Sequence, residues 1–221
     1  MIGSTSTILA VGAAFLPDEA EIGKSMVDSA KRAGVRRFVF SSVIHPVLNA
    51  LGNHAQKAPV EESLLASGKE YTFLHPTVFF QNFTATWPKI VETGVLAEPW
   101  SVDTRFSRVD YRDVAEAAAI ALTEDRLLYG TFDLCAEGWL NGKDVAAIIG
   151  EVLGRPIKAE RIDPKMAAAG AGPGAPALEK MFDWYDKRGL MGSAVALRAI
   201  LGREPRTLHT FFVELNAGGH K

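Results

Sequence analysis

The run Gly34-Val35-Arg36-Arg37-Phe38-Val39-Phe40-Ser41-Ser42-Val43 decides the fold. Arg37 to Val43 has the aromatic and β-branched composition of a strand, and Gly34 before it is a good helix stop. Upstream, Pro17 to Ala33 sets Ile22, Met26, Ala30 and Ala33 along one helical face, and Ser6 to Gly12 reads as a short apolar strand. Strand, helix and strand in such close succession make a crossover, and a crossover implies a parallel sheet.

Working outward, a helix is expected from Gln56 to Ser67, with Pro59 in its first turn and Gly68 at its end. Tyr71-Thr72-Phe73-Leu74 is a third strand, followed by an aromatic stretch from Val78 to Trp87. Val114, Ala117, Ala118, Ala121 and Leu122 share a helical face behind Asp110 and Asp113. Val145, Ile148, Ile149, Val152 and Leu153 repeat that pattern between the cap Asn141 and the terminator Gly154. Gly130 to Ala136 and Pro156 to Ile162 read as strands between and after these helices. The segment from Asp163 to Pro176 is rich in Ala, Gly and Pro, and helices are expected from there to Leu215. Alternating helices and strands give an α/β class.

Composition narrows the function classes. With 221 residues the chain can bury roughly 70% of its unfolded surface, enough for one core with a small satellite lobe. A net charge of -2 without a basic field argues against nucleic acid as a partner. The single cysteine, Cys135, forms no internal disulfide, no apolar run is long enough to span a membrane, and the start lacks the character of a signal peptide. The expected address is the cytoplasm, with no membrane partner. The five histidines and Cys135 show no ligand spacing, so no metal site is expected.

The opening run resembles the NmrA-like group of atypical short-chain dehydrogenases. The likeness continues through His54-Ala55-Gln56-Lys57-Ala58-Pro59-Val60-Glu61-Glu62 and through Tyr71 to Asn82. It then extends over Val109-Asp110-Tyr111-Arg112-Asp113-Val114-Ala115 and Leu201-Gly202-Arg203-Glu204-Pro205-Arg206-Thr207. The resemblance implies a Rossmann-like parallel sheet with a small, mainly helical C-terminal substrate lobe. Residues 1–135 would form the partial NAD(P)-binding core, and 136–221 the cap lobe interleaved with it. NADP or NAD is the implied cofactor, its pyrophosphate held by a glycine-rich turn after the first strand. Residues 1–12 resemble the family's fourth strand, so the reading expects an N-terminally truncated sheet lacking roughly 70 residues at typical element lengths, the turn among them. Dinucleotide binding is doubtful on that count. Gly170-Ala171-Gly172-Pro173-Gly174-Ala175 imitates the turn but follows no strand, and Pro173 removes an amide donor.

The same resemblance places Lys57 at the cofactor ribose and nicotinamide, where isoflavone-reductase-like relatives use a lysine as base. The plainer alternative is a solvated lysine at a helix start. The family's tyrosine position, four residues earlier, is Asn53, and an amide cannot donate a proton as a phenol does. Ser42 stands where the family serine would, or simply satisfies a strand end. His54 is a candidate proton relay or a locally bonded imidazole. Ser41, Lys57, His75, Pro76, Thr77 and Val78 are the expected cofactor-binding residues, at the carboxyl edge where open α/β sheets bind ligands. Phe79, Phe80 and Phe83 would line a substrate pocket or serve as core. Two functions remain open: an NAD(P)H-dependent oxidoreductase acting on quinone-like, aromatic or carbonyl substrates, and a non-catalytic NAD(P)-sensing regulator of a partner protein. A third outcome is a shortened chain that binds no dinucleotide. The first strand, if unpaired, would be an apolar edge that invites a homodimer.

Overall fold

The computed structural model describes residues 6–11 and 18–218. In chain order they form β1 (Thr7–Val11), α1 (Glu19–Arg32), β2 (Arg37–Ser41), α2 (Gly52–Ala55), α3 (Ala58–Ala66), β3 (Glu70–Pro76) and β4 (Val78–Phe79). A 3₁₀ turn, Phe80–Phe83, leads to α4 (Trp87–Thr93), β5 (Val95–Glu98), β6 (Arg108–Val109), α5 (Tyr111–Thr123) and β7 (Gly130–Leu134). Then come α6 (Gly142–Leu153), β8 (Lys158–Arg161), α7 (Pro164–Ala168), the 3₁₀ segment Ala169–Gly174, α8 (Ala175–Arg188), α9 (Val195–Leu201) and α10 (Leu208–Asn216). The expected bounds Gly12 and Pro17 lie outside the described residues.

Four parallel strands make the main sheet in the order β1-β2-β3-β7. Side chains alternate across a strand, so β2 supplies both faces. Phe38 and Phe40 pack with Val27 and Ala30 of α1, Val60 and Leu64 of α3, and Phe73. Val39 faces the other way, toward Val114, Ala117 and Ala121 of α5 and Leu197 and Ile200 of α9. Arg37 is buried at 1% exposure because its guanidinium donates to the carbonyls of Ala121 and Glu124. A cation there complements the negative end of α5.

The helical face expected for α1 is corrected by the structure. Ala20, Val27 and, as expected, Ala30 are its buried apolar positions, while Ile22 is 44% exposed and Ala33 is also exposed. Close packing on α3 sets this rotation: a Cβ added at Gly23 would collide with Val60, so the glycine side of α1 is the one that turns inward. Met26 packs against this core as expected, while Ile22 and Ala33 border an open apolar groove with Ile8 and Val35. Among the described residues β1 pairs with β2 alone and is the outer strand, with Val11 67% exposed.

The second lobe has its own core. Phe83 and Trp87 pack on Phe212, and Phe80 on Phe211, with Ile90, Leu96, Val145 and Ile149 around them. The parallel pair β5 and β8 edges this lobe. α6 starts at the expected cap, where Asn141 and Asp144 form a capping box, and stops at Gly154 in the left-handed region. Asp113 of α5 is fully buried and accepts from Arg206 N at 2.7 Å and Arg203 Nη2 at 2.9 Å. Two stretches quoted above for their family likeness thus meet at one carboxylate. Among the described residues no helix is long and apolar enough to cross a membrane, and no cluster of His, Cys, Asp and Glu could hold a metal ion.

Candidate functional site

The carboxyl ends of β2, β3 and β7 carry Ser42, His75 and Asp133 next to one another. His75 and Asp133 are register partners, and Ser42 N donates to Leu74 O at 2.8 Å. Over them lies the first turn of α3. Lys57 and Glu61 are four residues apart, so both project from one side of that helix. Glu61 Oε1 accepts from Ser42 Oγ and, at 2.9 Å, from His75 Nε2. Asp133 Oδ1 stands 3.6 Å from His75 Nδ1, an ion-pair distance. His75 is only 5% exposed. Burial alone would lower its pKa, but Asp133 and Glu61, one at each ring nitrogen, push it up to about 9.

Lys57 is not a solvated helix-start lysine. It is 5% exposed, its Nζ is ion-paired with Glu19 Oε1 at the head of α1, and it sits 5.9 Å from the Phe40 ring centroid. The turn before it is tied to α1 by Ala20 N donating to Gln56 Oε1 at 3.0 Å. Glu19 Oε2 is buried and has no partner. A carboxylate oxygen can only accept, and among the described residues nothing donates to this one.

His54 is fully buried. Its Nδ1 lies 3.2 Å from His45 O, which can only accept, so Nδ1 carries the proton and Nε2 accepts from the Tyr185 hydroxyl at 3.1 Å. Burial holds the His54 pKa below its ordinary value and lifts that of Tyr185. Asn53 donates to Met181 Sδ at 3.5 Å. A phenol from α8 therefore reaches the turn where the family's own tyrosine position is an amide.

The remaining expected residues fall as follows. Ser41 ends β2 and is half-buried. Pro76 O accepts from Ile44 N at 3.0 Å, and Thr77 Oγ1 donates to Ser107 O at 3.0 Å, so both already have partners within the fold. Val78 and Phe79 border a cavity of about 600 Å³ between the sheet edge and α8, together with Phe83, Trp100, Arg108 and Phe182. Phe80 lies elsewhere, buried on Phe211 and beside a smaller cavity of about 300 Å³. Cys135 follows β7, buried, its thiol pushed up to about 12 by desolvation. Gly170 to Gly174 belong to the 3₁₀ segment linking α7 to α8, where no strand precedes them.

Sequence reasoning did not single out Glu19, Asp133 or Arg108 as site members. Only the Lys57 and Glu61 spacing was a readable signal, because opposite charges four apart at a helix start share a face.

With this geometry in view, the model of the NmrA-like family matches residues 2–212. The chain is 28% identical to the NAD(P)H azoreductase of Xenophilus azovorans over 209 residues, covering 89% of this chain and 71% of that one. It is 25% identical to quinone oxidoreductase 2 of Escherichia coli (strain K12) over 216 residues, covering 92% and 75%. The NADPH-dependent quinone oxidoreductase of Escherichia coli, crystallised with NADPH, superposes with a TM-score of 0.85 at 22% identity, over 96% of this chain and 77% of that one.

Proposed function

This chain belongs to the NmrA-like family, and from that premise we propose that it is an NAD(P)H-dependent oxidoreductase that reduces flat aromatic acceptors of the quinone kind. The observation that carries this reading is the aromatic cavity beginning at Val78 and Phe79, where the carboxyl edge of the sheet meets the C-terminal lobe. Open α/β sheets bind ligands at that edge. The names of the azoreductase and the quinone oxidoreductase among its relatives support the same class of acceptor.

The residues present fit the nicotinamide-ribose end of a dinucleotide. Glu19 Oε2 is a buried acceptor awaiting a donor, and a ribose hydroxyl or a carboxamide N–H is such a donor. Lys57, fixed by Glu19, would hold that end together with Ser41 and the strand end from His75 to Val78. The dinucleotide, when bound, supplies the hydride.

The chain's own contribution is position and protons. Lys57 Nζ is oriented by its ion pair with Glu19, and in this reading it is the group that gives a proton to the reduced acceptor. Ser42 and His75 share Glu61, so their hydrogens are committed to that carboxylate and they brace α3 over the sheet. His54, its Nε2 occupied by Tyr185, braces the C-terminal lobe.

The test is NADPH and NADH consumption against a panel of quinones and azo dyes, with titration calorimetry for dinucleotide binding. Turnover that is lost in Lys57→Met, in protein shown by circular dichroism to be folded, is the expected result. Absence of hydride consumption with every acceptor would overturn the reading.

A further inference from the structure

One wall of the larger cavity is a helical hairpin. α7, the 3₁₀ segment Ala169–Gly174 and α8 pack chiefly on one another. From α8, Leu178, Met181 and Phe182 line the cavity that Val78, Phe79 and Phe83 line from the body of the fold. With Tyr185 they recur every three or four residues and so share one helical face. Of the whole of α8, however, Tyr185 is the one buried residue, and α7 adds only Pro164 and Ala168.

The two ends of this hairpin are held unequally. Its base is tied: Arg161, the last residue of β8, donates from Nη2 to Asp186 Oδ2 at 3.0 Å, so the chain enters and leaves the hairpin at one place. Asp186 Oδ1 accepts from Ser101 N, Asp186 O accepts from Thr104 Oγ1 at 2.8 Å, and the Tyr185 hydroxyl donates to His54 Nε2 at 3.1 Å. Gly189 then passes so close to Arg105 O, at φ +67°, that no Cβ would fit. The rest has few such ties. Among the described residues, Pro164 to Phe182 make one side-chain hydrogen bond to the body of the fold, from Asn53 Nδ2 to Met181 Sδ at 3.5 Å, and a thioether is a weak acceptor. At the tip the helical path breaks at Gly172, and a Cβ added at Gly170, Gly172 or Gly174 would meet nothing within 4 Å.

A segment with few buried contacts opens at a lower free energy than the core that carries it. Here the tip is free and the base is tied, and the cavity face between them is apolar and half-buried. We propose that the hairpin from Pro164 to Arg188 is a lid. It pivots at its base, lifts Leu178, Met181 and Phe182 off the cavity to admit a ligand, and lowers them onto the ligand's apolar surface. Closure buries more apolar area over a flat ligand than over an empty cavity, so the ligand shifts the lid toward its closed position. The proposal rests on the oxidoreductase reading only for the identity of that ligand.

The test is the distance between two nitroxide labels, measured by pulsed electron resonance. One label is placed at the tip (Ala171→Cys) and one on the exposed side of α4 (Lys89→Cys), in a Cys135→Ala background, with and without 1,4-naphthoquinone. Two distances are expected in the free protein, and saturating naphthoquinone should leave the shorter one alone. Phe182→Ala removes an apolar contact that exists only when the lid is down, so it should raise the ratio of open to closed molecules roughly tenfold. A single distance that neither Phe182→Ala nor bound naphthoquinone alters would overturn the proposal, as would a shift toward the longer distance when naphthoquinone binds. A tip that moves between two positions, and opens further in Phe182→Ala, in a protein that binds no naphthoquinone would remove the quinone reading and leave the lid standing.

Discussion

Replacing His75 by Gln should flatten the alkaline limb of the protein's stability profile. The imidazole is buried between Glu61 and Asp133, and its pKa is pushed up to about 9 from an ordinary value of 6.5. A group that binds its proton more tightly when folded stabilises the fold wherever the unfolded chain would also hold that proton. Here the stabilisation is complete below pH 6.5 and disappears as pH rises toward 9. At about 1.36 kcal/mol per pKa unit, the shift corresponds to about 3 kcal/mol. No further discount for solvent screening is needed, since His75 is only 5% exposed. Gln keeps one donor for Glu61 but does not titrate, so its profile lacks this component. Urea denaturation followed by tryptophan fluorescence between pH 6 and 10 gives both profiles. Their difference should shrink by about 3 kcal/mol across that window, with a slope never steeper than about 1.36 kcal/mol per pH unit, the limit for one proton. Parallel profiles would refute the reasoning, as would an NMR titration of the His75 ring with a midpoint at or below 6.5.

Three further outcomes follow from buried or exposed groups already described. Lys57→Met leaves Glu19 buried without its cation and should cost about 3–5 kcal/mol in denaturant titration; adding Glu19→Leu should restore part of that loss, and a double variant no more stable than the single one would count against the pairing. Tyr185→Phe keeps the ring in place but leaves His54 Nε2 buried without a donor, so a loss of about 1–3 kcal/mol in thermal unfolding is expected. An unchanged midpoint would mean that the hydroxyl does not bond the imidazole. The open side of β1, with Val11 67% exposed next to an apolar groove, should drive concentration-dependent self-association in size-exclusion chromatography, suppressed by Val11→Lys. A monodisperse monomer at high concentration would contradict this.

What could be read in advance, and what could not, follows from the range of the forces involved. Strand β2 was legible because its alternation of Phe and Val is set within five residues, and α6 because its cap, apolar face and terminating glycine are all local. The face of α1 was misjudged for a related reason. Ile22 is larger than Ala20 and Gly23, so hydrophobicity alone favours it, whereas the inward side is fixed by how closely α3 can approach. The site divides in the same way. Lys57 and Ser42 stood out by their place in the chain, yet what each can do depends on residues far along it: Glu19 lies 38 positions from Lys57, and Tyr185 lies 131 from His54. Charge state, tautomer and proton direction at this edge are properties of those long-range pairs. For Ser42 and His54 the tracing names partners that sequence could not, since Ser42 donates to Glu61 and His54 accepts from a phenol. Lys57 ends beside a carboxylate, Glu19, whose second oxygen has no donor among the described residues. That unpaired oxygen, rather than the presence of a lysine at a familiar spacing, is what supports the proposed position of the cofactor's reactive end.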